Sequence, residues 1–152
     1  MAHEWLDTLL RLGAAVVAGG VIGYDRELSG RPAGLRTHML VSLGSAMVVL
    51  MALRLDGPTN VSRVIQGVVT GIGFLCAGDI LHLMRNGHER VKGLTSAAAL
   101  WVTSAIGMVA ACAQYSIIVI GTVLTMVILA VLRRFEPTRN QPEPAPPAKA
   151  DP

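Results

Sequence analysis

The chain has 152 residues, 52% of them hydrophobic and only 15% charged, with a formal net charge of +3. An ordinary soluble domain carries about 25% charged residues, so the composition excludes that class, and the length allows one domain. Cys76 and Cys112 both sit inside apolar runs. No second sulfur or imidazole lies at ligand spacing, which excludes a disulfide framework and a zinc site.

The first seven residues hold Glu4 and Asp7 and no Lys or Arg. A cleavable signal peptide has a basic start, so the first apolar helix is expected to stay in the mature protein. Five apolar runs follow, at about residues 6–24, 35–53, 64–83, 94–113 and 116–132. Each approaches the roughly 20 residues that cross about 30 Å of hydrocarbon. The predicted fold is all-α: a polytopic bundle of about five transmembrane helices. Arg11 lies near the start of span one, within snorkelling distance of the interface. Spans four and five are separated only by Gln114 and Tyr115, which predicts a tight hairpin.

Lys and Arg set the orientation. Arg26, Arg31, Arg36, Arg85, Arg90, Lys92, Arg133, Arg134, Arg139 and Lys149 fall on one side, ten cations in all, and Arg11, Arg54 and Arg63 on the other. That count places the N-terminus outside and the C-terminus in the cytoplasm. Residues 136–152 hold six of the eight prolines. Such a stretch buries no core and is expected to be a disordered cytoplasmic tail. The chain thus divides into a transmembrane domain, residues 1–135, and a Pro-rich tail, residues 136–152.

Gly19 and Gly23 form a GxxxG pair in span one; Gly67 and Gly71 form another in span three, with Gly78 seven residues later on nearly the same face. Small residues let backbones approach in lipid, where hydrophobic drive between helices is lacking. These positions read as packing within the bundle or as a homodimer face.

The polar residues at membrane depth carry the chemistry. Asp79 sits inside span three, with His82 one turn later. Asp25, Arg26 and Glu27 end span one; Arg36, Thr37 and His38 open span two; Lys92 and Thr95 open span four. All fall at one end of the bundle. One reading is a set of interfacial ion pairs, with Asp25 and Glu27 matched to Arg26, Arg36 or Lys92. Asp79 lies roughly 6 Å from the end of its span, too deep for full solvation if it faced lipid. The other reading is therefore a proton or cation site at Asp79 with Asp25 or Glu27, and with His82 or His38 as titrating neighbour. Mg²⁺ takes one or two carboxylates and keeps waters, but the nearby Arg side chains oppose a dication. Ser96, His38 and Asp79 carry no hydrolase motif, and no enzymatic activity, resident cofactor or nucleic-acid partner is expected.

Four segments are similar to a known family: IGYDRE at 22–27, RPAGLRTHMLVSLG at 31–44, GIGFLCAGDIL at 71–81 and VKGLTSAAALWVTSAIG at 91–107. In this order they resemble the N-terminal membrane domain of the MgtC/SapB family of bacterial inner-membrane proteins, from about Leu9 to Arg134. The matching positions are Asp25, Arg26, Glu27, Gly34, Leu35, Arg36, Thr37, His38, Gly71, Gly73, Phe74, Gly78, Gly93, Leu94, Thr95 and Trp101. Asp25 stands where many members have Glu, and Cys76 where many have Gly. The resemblance implies five membrane helices and a multi-pass protein of the bacterial inner membrane. It also implies a link to magnesium homeostasis, stress adaptation and virulence. The implied role is regulation of other membrane proteins, including the F-type ATP synthase and magnesium transporters. The best-known member adds a soluble C-terminal domain of ACT-like fold, where only the Pro-rich tail is expected here. The alternative to a regulator is a small Mg²⁺ or proton transporter using the Asp79-centred cluster. The outer halves offer Ser45, Gln66, Thr70, Thr103, Ser104 and Gln114 but no carboxylate, which favours the regulator.

Overall fold

A computed structural model describes residues 2–55, 58–84 and 93–135. Among these, every regular element is a helix: α1 (Ala2–Leu28), α2 (Leu35–Leu55), α3 (Pro58–Met84), α4 (Leu94–Ala111) and α5 (Tyr115–Phe135). Four stretches are long and apolar enough to cross a membrane: His3–Leu28, Leu35–Leu55, Asn60–Ile80 and Leu94–Ala111. α5 adds an apolar stretch over Tyr115–Val131. The chain is a polytopic all-α membrane protein. The expected tail, residues 136–152, and the cations Arg85, Arg90 and Lys92 lie outside the described residues.

The helix ends follow from local chemistry. Pro58 opens α3, where its missing N–H costs nothing. α1 closes on Gly30 at φ 63, with Arg31 N–H donating to the Arg26 carbonyl and Gly30 N–H to that of Glu27, both at 3.0 Å. This double bond satisfies two orphan carbonyls and needs a left-handed residue. α4 closes in the same way at Ala113, φ 54, with Gln114 N–H donating to Val109 and Ala113 N–H to Ala110. Here an alanine takes the left-handed position that glycine takes after α1. The predicted hairpin between spans four and five is this turn.

α4 is the central helix, with Ala97, Ala99, Leu100, Thr103, Ser104, Ile106, Met108 and Ala110 buried. Its small side chains let α1 and α2 close on it around Ala15, Ala18, Ile22, Ala46 and Val49. Backbones approach most tightly at glycines. A Cβ on Gly19 would lie 2.9 Å from the Ser42 Cβ, one on Gly23 2.8 Å from the Leu35 Cα, and one on Gly107 2.8 Å from the Ser42 carbonyl carbon. The predicted packing role holds for Gly19 and Gly23.

It does not hold within the chain for Gly67, Gly71 and Gly78. A Cβ at any of them meets nothing within 4 Å, and all three face outward. Among the described elements α3 packs against α2 and α4; Gly67 and Gly78 are exposed, and Gly71 borders an open cleft beside α2. The GxxxG pattern marks a close-approach face but carries no information about which helix approaches it. Phe74, on the same side of α3, is 82% exposed.

Candidate functional site

The helix register gathers polar groups at two ends. At the first, Arg11 Nη1 donates to the Ala111 carbonyl at 2.7 Å, and Arg11 Nε reaches the Asp7 carboxylate at 2.8 Å. Arg54 donates to the Thr8 hydroxyl. Arg11 therefore bonds to the open C-terminal carbonyls of α4 rather than only snorkelling, and it ties α1 to α4. A cleft of about 730 Å³ lies here, lined by Glu4, Trp5, Asp7, Arg11, Leu53 and Arg54 among others.

The second end holds the cluster expected from sequence. Arg26 is buried, 2% exposed, and His38 is fully buried. The i→i+4 geometry of α2 brings His38 Nδ1 to the Gly34 carbonyl at 2.9 Å. A carbonyl only accepts, so Nδ1 carries the proton and Nε2 is left as an acceptor. Both the Arg26 and Asp79 charges act on His38, so the three groups share one electrostatic neighbourhood. Among the described residues, the buried atoms His38 Nε2, Ser42 Oγ and Asp79 Oδ2 have no hydrogen-bond partner. Asp79 is part-buried and opens on a cleft of about 230 Å³ lined by Pro32, Ala33, Thr37, Leu75 and Leu100. Cys76, three residues earlier, donates its thiol to the Ala97 carbonyl at 3.2 Å and so links α3 to α4.

The other predicted cluster members are used differently. Glu27 accepts a hydrogen bond from the Leu35 N–H at 2.8 Å. Its carboxylate caps the N-terminus of α2, where the helix dipole favours an anion. Gly34 makes room for it, because a Cβ there would lie 2.9 Å from Glu27 Oε2. The expected ion pair between Arg36 and a carboxylate does not form: Arg36 is exposed and contacts no acid among the described residues. The buried cation of this corner is Arg26, because α1 turns residue 26 inward while α2 turns residue 36 outward. Asp25 is part-buried, and its backbone carbonyl accepts from the Ser29 hydroxyl at 2.7 Å. Thr37 and Thr95 are exposed. The His82 side chain lies outside what is described. Among the described residues no three His, Cys, Asp or Glu side chains converge as a metal-holding group.

One feature escaped the sequence reading. Ser45 and Ser104 meet at 2.8 Å where α2 crosses α4, and Ser42, Ser96 and Thr103 are also buried on these two helices. Buried hydroxyls in membrane helices bond across interfaces. The signal was the Ser and Thr at 42, 45, 96, 103 and 104, of which Ser45, Thr103 and Ser104 read only as outer-half polar groups.

These features define a small multi-pass membrane protein with its ionisable groups set at the two ends of an Ala/Ser-packed bundle. The chain belongs to the MgtC family, whose model matches residues 12–138. It is 41% identical over 143 residues to protein SrpB of Synechococcus elongatus, covering 88% of this chain and 79% of SrpB. It is 41% identical over 135 residues to YhiD of Escherichia coli, which carries the provisional name of magnesium transporter, covering 84% of this chain and 61% of YhiD. It is 38% identical over 122 residues to protein MgtC of Brucella abortus, covering 80% of this chain and 50% of that protein. The chain thus spans about three fifths of the length of YhiD and half that of MgtC. No solved structure matches it.

Proposed function

We propose that this chain is a non-enzymatic protein of the bacterial inner membrane that regulates other membrane proteins in magnesium homeostasis or stress adaptation. The observation that carries this reading is the outer face of α3. Gly67, Gly71 and Gly78 turn outward with open space around them. A glycine facing lipid gains little dispersion, whereas one facing a helix allows close approach. α5 shows the contrast, since its outward residues are Ile117, Ile120, Leu124 and Ile128, a lipid-facing set. The partners that fit this reading are the F-type ATP synthase, a magnesium transporter or a second copy of the chain. The Lys and Arg distribution supports placing the Asp79 end in the cytoplasm.

A second reading, a small Mg²⁺ or proton transporter, draws on Asp79 and on the name given to YhiD. Against it, the middle of the bundle is filled by Ile22, Ala46, Val49 and Ile106 around the Ser45–Ser104 pair. The deciding experiment is reconstitution in liposomes with internal Mg²⁺ and pH dyes, alongside photo-cross-linking from position 74 in cells. The regulator reading expects no flux and a discrete cross-linked membrane protein. Flux in the wild type that disappears in Asp79→Asn overturns it.

A further inference from the structure

A second cleft, about 370 Å³, runs between α2 and α3 and is almost wholly apolar, with Leu40, Val48, Val68, Gly71, Ile72 and Leu75 among its walls. Gly44 also lines it, and a Cβ there would meet nothing within 4 Å. Leu75 belongs both to this cleft and to the one at Asp79, so the two adjoin along α3. Val68 lies eleven residues before Asp79, about 16 Å of helix at 1.5 Å per residue. One leaflet of hydrocarbon is about 15 Å deep, half of the roughly 30 Å core. The two adjoining clefts together border about one leaflet depth of α3, the first almost wholly apolar and the second lined by a carboxylate.

The part-buried Asp79 lines the cleft beside Thr37, and among the described residues nothing donates to its buried Oδ2. An ionised carboxylate accepts several hydrogen bonds and donates none, so its complement is a cationic donor. Thr37, on the rim of the same cleft, offers a hydroxyl, and Arg31 and Arg36 are exposed at this end. These groups complement a phosphate set beside an ammonium.

We propose that the α2–α3 cleft holds one phospholipid of the surrounding leaflet, its acyl chain lying between Val48 and Val68 and its primary ammonium hydrogen-bonded to Asp79. The site discriminates by headgroup. Phosphatidylethanolamine carries N–H donors, phosphatidylcholine carries the same charge with none, and phosphatidylglycerol carries no cation. This inference does not depend on the regulator reading, because a transporter could hold the same lipid.

The test is native mass spectrometry of the full chain in detergent, titrated with these three lipids carrying matched acyl chains. Phosphatidylethanolamine is expected to bind at least about tenfold more tightly than phosphatidylcholine, the scale of one hydrogen bond to a charged group. Asp79→Asn should abolish the preference. Gly44→Leu fills the cleft and removes a helix-weakening glycine; it should weaken binding of all three lipids. If Asp79→Asn does not fold, the comparison of phosphatidylethanolamine with phosphatidylcholine on the wild type and Gly44→Leu decides alone. Equal binding of those two lipids, undiminished binding in Gly44→Leu, or a folded Asp79→Asn that keeps the preference overturns the proposal. So does a lipid-free dimer as the main species, which would assign the cleft to a second copy.

Discussion

Replacing Gly107 by alanine should destabilise the bundle, while replacing Gly71 by alanine should not. At Gly107 the new Cβ would sit 2.8 Å from the Ser42 carbonyl carbon and 2.9 Å from its Cα. Carbon contacts are optimal near 3.5–4.0 Å, so the overlap is about 1 Å, and it is with backbone, which has no rotamer to move. α4 must back away from α2. A gap of 0.5–1 Å forfeits a quarter to a half of each dispersion contact along the seam, and overpacking of this kind costs about 1–3 kcal/mol. The same movement stretches the 2.8 Å Ser45–Ser104 bond, worth about 0.6 kcal/mol in a membrane. Alanine returns up to about 1 kcal/mol through helix propensity. The net loss is about 1–3 kcal/mol. Gly71 has nothing within 4 Å of its Cβ, so there the propensity gain stands alone. The two variants should differ by about 2–4 kcal/mol in SDS-induced unfolding in mixed micelles. Equal midpoints would refute the crossing geometry assigned to α2 and α4.

Arg11→Gln should lose about 1–3 kcal/mol in the same unfolding assay, because the Ala111 carbonyl and the Asp7 carboxylate lose a charged donor; Arg11→Lys should recover only part of this. A double-mutant cycle on Ser45→Ala and Ser104→Ala should give a coupling of about 0.6 kcal/mol, and additivity would show that the hydroxyls do not bond. Ala113→Gly should stabilise by about 1 kcal/mol, since φ 54 is strained for alanine; an unchanged midpoint would argue against the left-handed turn. Arg36→Ala should change stability by less than about 0.5 kcal/mol, as it is exposed without an acid beside it, and a larger loss would show a contact at this corner that the structure lacks.

Much of the fold was legible because apolar runs of membrane length leave few alternatives. The start of α2 at Leu35 and of α4 at Leu94 follow from the polar stretches before them. α1 continues to Leu28, beyond the apolar run, because Asp25, Arg26 and Glu27 suit a helix even where they leave the hydrocarbon. What the pattern could not assign was direction around each helix axis. Gly19 and Gly67 look alike in sequence, and only the neighbours of α1 and α3 separate a filled face from an open one. The same blindness hid the inward turn of Arg26 and the outward turn of Arg36, since both sit within two residues of helix ends, where period and interface compete. Gly107 lacked a GxxxG partner, so nothing in its spacing pointed to the tightest approach in the bundle.

The structure also divides the polar cluster by consequence. Arg26, Glu27, Gly34 and His38 build one corner: the Glu27 carboxylate caps α2, Gly34 admits it, the Gly34 carbonyl holds the His38 ring, and Arg26 is sealed beside them. A change at any of these acts first on whether α1 and α2 meet correctly. Asp79 and Thr37 differ, because they border an open cleft, and the buried Asp79 oxygen has no hydrogen-bond partner among the described residues. Holding an ionisable group at this depth costs a few kcal/mol on insertion scales, and among the described residues no bond to that oxygen offsets the cost. The four motifs therefore carry two kinds of constraint. One set closes the α1–α2 corner, and the other, centred on Asp79, borders an open cleft.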